Sequence, residues 1–211
     1  ETGQRPSRIP KRKYEMNESD IITAINPIVK AFENLGVQYY IGGSVASSAY
    51  GIARATLDVD LVSNLKTKQV PGLIKVLKKK YYINEQSVVD AIQHSSSFNL
   101  IHLETMLKVD VFILKNTPYD LCAFSRKQID TLDDQNKITF FLGSAEDIIL
   151  NKLNWFKKGD CISDQQWKDI LGIIKVQQKQ LDQDYLRHWA KILDLWKLFQ
   201  KAFDDAGILN D

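Results

Sequence analysis

Cysteine is nearly absent from this chain, and its two thiols, Cys122 and Cys161, are too few and too far apart for a disulfide framework or a cysteine metal site. Both are expected to be reduced, and a zinc site is not expected. Histidine is scarce too. His94, His102 and His188 lack metal spacing and stand near no recognisable nucleophile motif, so they are expected to be structural or exposed. No apolar run approaches the ~20 residues that span a bilayer, and no stretch near the start resembles a signal peptide. No membrane association is therefore expected, and a cytoplasmic location is. The chain also lacks a charge excess: 28 Lys+Arg stand against 26 Asp+Glu, a formal net charge of +2, which argues against non-specific wrapping of long nucleic acid. At 44% hydrophobic and 26% charged, its 211 residues have a globular composition and are long enough for one large domain or two small ones.

Residues 1–19 carry Arg5, Arg8, Lys11, Arg12 and Lys13 and little to bury, which predicts a mobile basic arm. Apolar residues recur at helical spacing over 20–35, with Pro27 inside and Gly36 as the stop. Residues 37–41 read as a short buried strand, 44–50 as a small-residue helix, and 57–62 as a second strand. An amphipathic helix is expected over 66–80, ending in Lys78, Lys79 and Lys80, whose charges suit a helix C-terminus. Residues 98–103 and 108–114 read as strands joined by a hairpin turn. A short helix over 118–125 and strands at 128–132 and 137–141 follow. After Gly143 the pattern is helical throughout, over 145–158, 164–178, 182–193 and 195–206. The layout is an α+β chain: a mixed sheet with flanking helices over 20–143, then a helical bundle over 144–211.

One segment concentrates chemistry. A strand runs into Gly42-Gly43-Ser44 and then a helix, an arrangement that leaves amide groups free for a phosphate at the helix N-terminus, with no glycine side chain in the way. Arg54, Thr56, Asp58 and Asp60 follow. On a strand, Asp58 and Asp60 point to one face while Val59 and Leu61 face the core. Carboxylates at ~5–7 Å repel by ~2–3 kcal/mol at an effective dielectric near 20. A divalent cation offsets that repulsion, and an oxygen-only donor set suits Mg²⁺ or Mn²⁺; the bland alternative is a solvated acidic edge. Asp110 stands inside the otherwise apolar run 108–114. If its strand lies beside that of Asp58 and Asp60, three aspartates converge in a two-metal arrangement, with Asp110 as the natural general base.

The order Gly-Gly-Ser, small helix, Arg-x-Thr-x-Asp-Val-Asp, then a lone Asp on an apolar strand resembles the nucleotidyltransferase superfamily with the DNA polymerase β-like fold. Within it the chain is most similar to small bacterial abortive-infection and toxin–antitoxin enzymes, and residues 144–153 with Trp167-Lys168-Asp169-Ile170 look like that group's helical half. The resemblance implies metal-dependent transfer of a nucleoside monophosphate (NMP) from a nucleoside triphosphate (NTP) to an acceptor hydroxyl, with release of pyrophosphate. It implies Mg²⁺ or Mn²⁺ held by Asp58, Asp60 and Asp110. Gly42, Gly43, Ser44, Arg54 and Thr56 would bind the nucleotide, with Lys152 and Asp169 facing it across a cleft. The acceptor stays open among a tRNA or other RNA end, a protein side chain and a small molecule such as an antibiotic. A toxin would have a cognate antitoxin as partner. A catalytically inactive binding or interaction module on the same fold is the alternative. Glu146 and Asp147 are explained as first-turn acids after a Ser144 cap. Trp155, Trp167, Trp189 and Trp196 are expected mainly in the core, although one could stack on a nucleobase.

Overall fold

A computed structural model describes residues 18–133 and 138–208. The basic arm therefore lies outside the described residues, apart from Glu18 and Ser19, which open the first helix. That helix, α1 (Glu18–Asn34), accommodates Pro27 and buries Ile22, Ile25, Ile28, Val29 and Phe32. After it come β1 (Tyr39–Ile41), α2 (Gly43–Tyr50) and β2 (Asp58–Ser63).

The helix expected over 66–80 is shorter. A 3₁₀ turn (Thr67–Gln69) precedes α3 (Val70–Leu77), because Pro71 suits a first helical turn and cannot donate in a helix interior. Lys78, Lys79 and Lys80 lie in the turn beyond it. Two elements have no counterpart in the sequence reading: β3 (Tyr81–Tyr82) and α4 (Glu85–His94). Asn84 caps α4 by accepting from the Ser87 amide at 2.9 Å, and Val88 and Ala91 are its buried pair. Then follow β4 (Ser97–His102), β5 (Lys108–Ile113), α5 (Pro118–Ser125), β6 (Gln128–Asp133) and β7 (Ile138–Leu142). The helical half comprises α6 (Ala145–Lys158), α7 (Asp164–Gln177), α8 (Gln183–Ile192) and α9 (Trp196–Asp205), close to the expected spans.

Among the described residues, seven strands form one mixed sheet in the order β3-β4-β5-β2-β1-β7-β6. The β2–β5 and β1–β7 pairs are parallel and the others antiparallel. One face packs Tyr39, Ile41, Val59, Leu61, Val109 and Val111 against α1, α3 and α4. The second apolar cluster is built from α6 to α9 and takes Ala46 from α2 and Tyr119 and Ala123 from α5, so apolar packing crosses residue 143. α2, in contact with β2, α6 and α7, is the hinge of the arrangement: its N-terminus sits where sheet and helices meet.

Candidate active site

Alternation sets the carboxylates. Val59, Leu61 and Ser63 are buried on one side of β2, and Asp58 and Asp60 point to the other, Asp58 exposed and Asp60 half-buried. The parallel register pairs Asp58 with Lys108 and Asp60 with Asp110. Directly paired residues share a face, so the aspartate of the later strand stands on the same side as the earlier two. Burial, then the charges of Asp58 and Asp110, push the Asp60 carboxyl up to about 6, against opposing pulls from Lys152 and Lys108.

The three acids are not a closed cage. Lys108 Nζ lies 2.7 Å from Asp110 Oδ2, and the Thr56 hydroxyl donates to Asp58 Oδ1 at 2.8 Å. Among the described residues, no three His, Cys, Asp or Glu side chains stand ready to hold a metal ion. The donor chemistry nevertheless suits one: the three acids offer only oxygens, and the charges of Asp58 and Asp110, which add to burial in raising Asp60, are what a divalent cation relieves. Thr56, read from sequence as a nucleotide contact, is buried, and its hydroxyl is bonded to Asp58.

The glycine turn meets these acids directly. The Gly42 amide donates to the Asp60 carbonyl at 2.8 Å. Gly43 has φ +54°, and a Cβ there would fall 1.7 Å from Asp60 Oδ2, so no side chain fits. α2 starts without a side-chain cap, leaving the peptide dipoles of its first turn to face the cleft. Ser44 Oγ accepts from Arg54 Nη2 at 2.6 Å.

Arg54 and Lys152 converge on Asp169. Arg54 is bidentate, Nε to Oδ1 and Nη2 to Oδ2 both at 3.0 Å, and Lys152 Nζ reaches Oδ2 at 2.8 Å and Gln166 Oε1 at 3.1 Å. Gln165 Nε2 adds a bond to Asp169 Oδ1 at 2.9 Å. Burial acts to raise Asp169, but the bonds from Arg54 and Lys152 overcome it and hold the carboxyl below its ordinary value. Asp169 is thus a clamp between the loop after α2 and the helical half.

A cleft of about 330 Å³ opens between the glycine turn and α6. Gly42, Gly43, Ser44 and Asp60 form one wall, and Lys152, Trp155 and Lys158 the other. Asp58, Asp110, Arg54, Thr56 and Asp169 stand outside this lining. Trp155 departs from the core expectation: it is 56% exposed, with Phe112 edge-on at 6.4 Å. Sequence reading named the tryptophans together; helical phase separates this one, because Trp155 lies three residues from Lys152 and so on the same side of α6. The other three do pack, Trp189 buried, Trp167 tilted over Phe156 and Trp196 stacked on Phe199. Glu146 and Asp147 do more than complement a helix start: Arg126 Nη2 contacts Glu146 at 3.1 Å and the Tyr185 hydroxyl donates to Asp147 at 2.7 Å, tying α6 to α8. Cys122 and Cys161 are free thiols, as expected.

No protein-family model matches the chain, and no curated protein matches its sequence. Solved structures do. An antigenic nucleotidyltransferase-like protein from Paracoccidioides brasiliensis superposes with a TM-score of 0.54 at 17% identity, covering 88% of this chain and 93% of that one. The antibiotic-resistance factor ANT(2'')-Ia superposes with a TM-score of 0.52 at 13% identity, covering 90% and 96%. With its seven-stranded mixed sheet and the helices that flank and follow it, the chain has the nucleotidyltransferase fold.

Proposed function

We propose that the protein is a metal-dependent nucleotidyltransferase that moves NMP from an NTP to an acceptor hydroxyl and releases pyrophosphate. The observation that carries this reading is the meeting of Asp60 with both Gly43 and Asp110. One carboxylate touches the phosphate-type turn and is paired in register with a second acid across the sheet. In this reading residues 20–143 form the catalytic part and 144–211 the far wall of the cleft.

Asp58, Asp60 and Asp110 would hold Mg²⁺ or Mn²⁺, which when bound neutralises triphosphate charge and acidifies the acceptor hydroxyl. The first-turn amides of α2 and the Ser44 hydroxyl bind phosphate oxygens. Lys152 presents its ammonium from the opposite wall, aimed by Asp169 and Gln166. Trp155 offers a face to the nucleobase. Asp110 takes the proton as the acceptor oxygen bonds to the α-phosphorus and the bond to the pyrophosphate oxygen breaks. Acceleration comes from positioning and charge rather than from a covalent intermediate.

The acceptor classes are an RNA end, a protein side chain and a small molecule; the role of the neighbour ANT(2'')-Ia in antibiotic resistance is what keeps antibiotics among them. The toxin role, with a cognate antitoxin, rests on the sequence resemblance alone. A second reading, an inactive binding module, has one observation in its favour: Lys108 already neutralises Asp110. Thermal unfolding with each NTP, with and without Mg²⁺, separates the two. The enzyme is stabilised by at least one nucleotide in a metal-dependent way, and no shift with any nucleotide rejects it.

A further inference from the structure

The strand register extends the carboxylate rows across the free half of the sheet. Asp58 pairs with Lys108, Lys108 with Ile101, and Ile101 with Tyr82. In the next row Asp60 pairs with Asp110, and Asp110 with Asn99. Partners directly opposite point to one face, so Tyr82, Asn99 and Lys108 stand on the same surface as the acids. The reverse face is core: Tyr81, Phe98, Leu100, Val109 and Val111 are all buried. On the acid-bearing face, Tyr82 is 65% exposed and Ser97, Asn99 and Lys108 are exposed, which leaves this half of the sheet uncovered among the described residues.

Its chemistry is one-sided. β3 and β4 contribute an aromatic ring, a hydroxyl, a carboxamide and the half-buried Ile101, and no acid. Lys78, Lys79 and Lys80 are exposed immediately before β3, and the Lys80 carbonyl accepts from the Leu103 amide at 2.9 Å, anchoring that basic run at the hairpin end of the platform. A cationic acceptor would meet three lysines here against the single exposed acid of the adjoining turn, Glu104. An anionic strand with flat bases finds both a stacking ring and phosphate partners.

Resting on the transferase reading, we propose that this open face is the acceptor platform and that its occupant is the end of a single-stranded nucleic acid. A base stacks on Tyr82, backbone phosphates meet Lys78, Lys79 and Lys80, and Asn99 positions the terminal hydroxyl beside Asp110. From Tyr82 to Asp58 is three strand spacings, about 14 Å, a span of a few nucleotides. The terminal oxygen bonds to the α-phosphorus of the NTP, pyrophosphate leaves, and the hydroxyl proton passes to Asp110.

The test is fluorescence anisotropy with single-stranded RNA and DNA octamers and a blunt RNA duplex, on wild type, Tyr82→Ala, Asn99→Ala and a triple Lys78, Lys79, Lys80→Ala variant. Single strands are expected to bind more tightly than the duplex. Tyr82→Ala is expected to weaken binding about tenfold, and the triple variant to flatten its salt dependence. The RNA and DNA arms tell which sugar is accepted. Wild type that ignores both single strands, or Tyr82→Ala that binds them as wild type does, overturns the assignment. The nucleotide-dependent shift in unfolding, read on the same samples, keeps the two failures apart. Wild type that shows the shift but ignores oligonucleotides loses the acceptor assignment alone. Wild type that binds oligonucleotides through Tyr82 without the shift loses the transferase reading.

Discussion

Replacing Asp60 by Asn should stabilise the metal-free protein while destroying its site. The carboxyl is raised from 3.8 to about 6 by burial and by Asp58 and Asp110, so the folded state disfavours its charged form. A shift of that size corresponds to roughly 3 kcal/mol of differential interaction. Between about pH 4 and pH 6 the folded protein holds a proton that the unfolded chain has released. Stability from this group is therefore complete at low pH and lost as pH rises through about 6. Asn carries no charge and nearly the same shape, so Asp60→Asn escapes the loss and retains only a neutral burial cost. The expected gain is about 1–3 kcal/mol at neutral pH, or about 2–10 °C in Tm for a chain of this size. Scanning calorimetry in a chelator from about pH 4 to pH 8 measures it. The gain should be full above pH 6 and vanish near pH 4, and added Mg²⁺ should raise the Tm of wild type but not of the variant. A variant less stable than wild type at neutral pH, or a difference that ignores pH, would refute the reasoning.

Three other perturbations follow from the same contacts. Asp169→Asn leaves Lys152 buried with a weakened partner and Arg54 without its carboxylate, so urea unfolding should report a loss of about 3–5 kcal/mol; a loss under 1 kcal/mol would mean that the clamp is weak. Gly43→Ala forces a Cβ into the Asp60 carboxylate and should abolish NTP-dependent stabilisation in thermal unfolding, with wild-type behaviour excluding the close contact. Trp155→Ala, at an exposed position, should leave stability within about 1 kcal/mol yet weaken nucleotide binding about tenfold by calorimetric titration; unchanged affinity would remove Trp155 from the site.

Local patterns made much of this molecule legible. The period-2 alternation of β2 and β5 placed three aspartates on strand faces, and helical periodicity with the Ser144 cap delivered α6 over its full observed span. β3 and α4 escaped because a two-residue strand has no period and α4 has only a narrow apolar stripe; the Asn84 cap before Val88, Ala91 and Ile92 was the available signal. What sequence could not contain was register and distance. That Asp110 pairs with Asp60 rather than Asp58 depends on how two strands slide, and a slip of one residue turns every side chain over. The Arg54–Asp169 bond joins residues 115 positions apart, beyond any local pattern. The charged partners of Asp169 come from α6 and from the loop after α2.

The most direct measurement is incubation of the protein with each of the four α-labelled NTPs, Mg²⁺ or Mn²⁺ and total cellular RNA or lysate, beside the Asp58→Asn/Asp60→Asn double variant. Wild type should attach label from at least one nucleotide to an acceptor and release pyrophosphate, and the folded double variant should attach none. Equal labelling by the two proteins would contradict the assignment of these carboxylates.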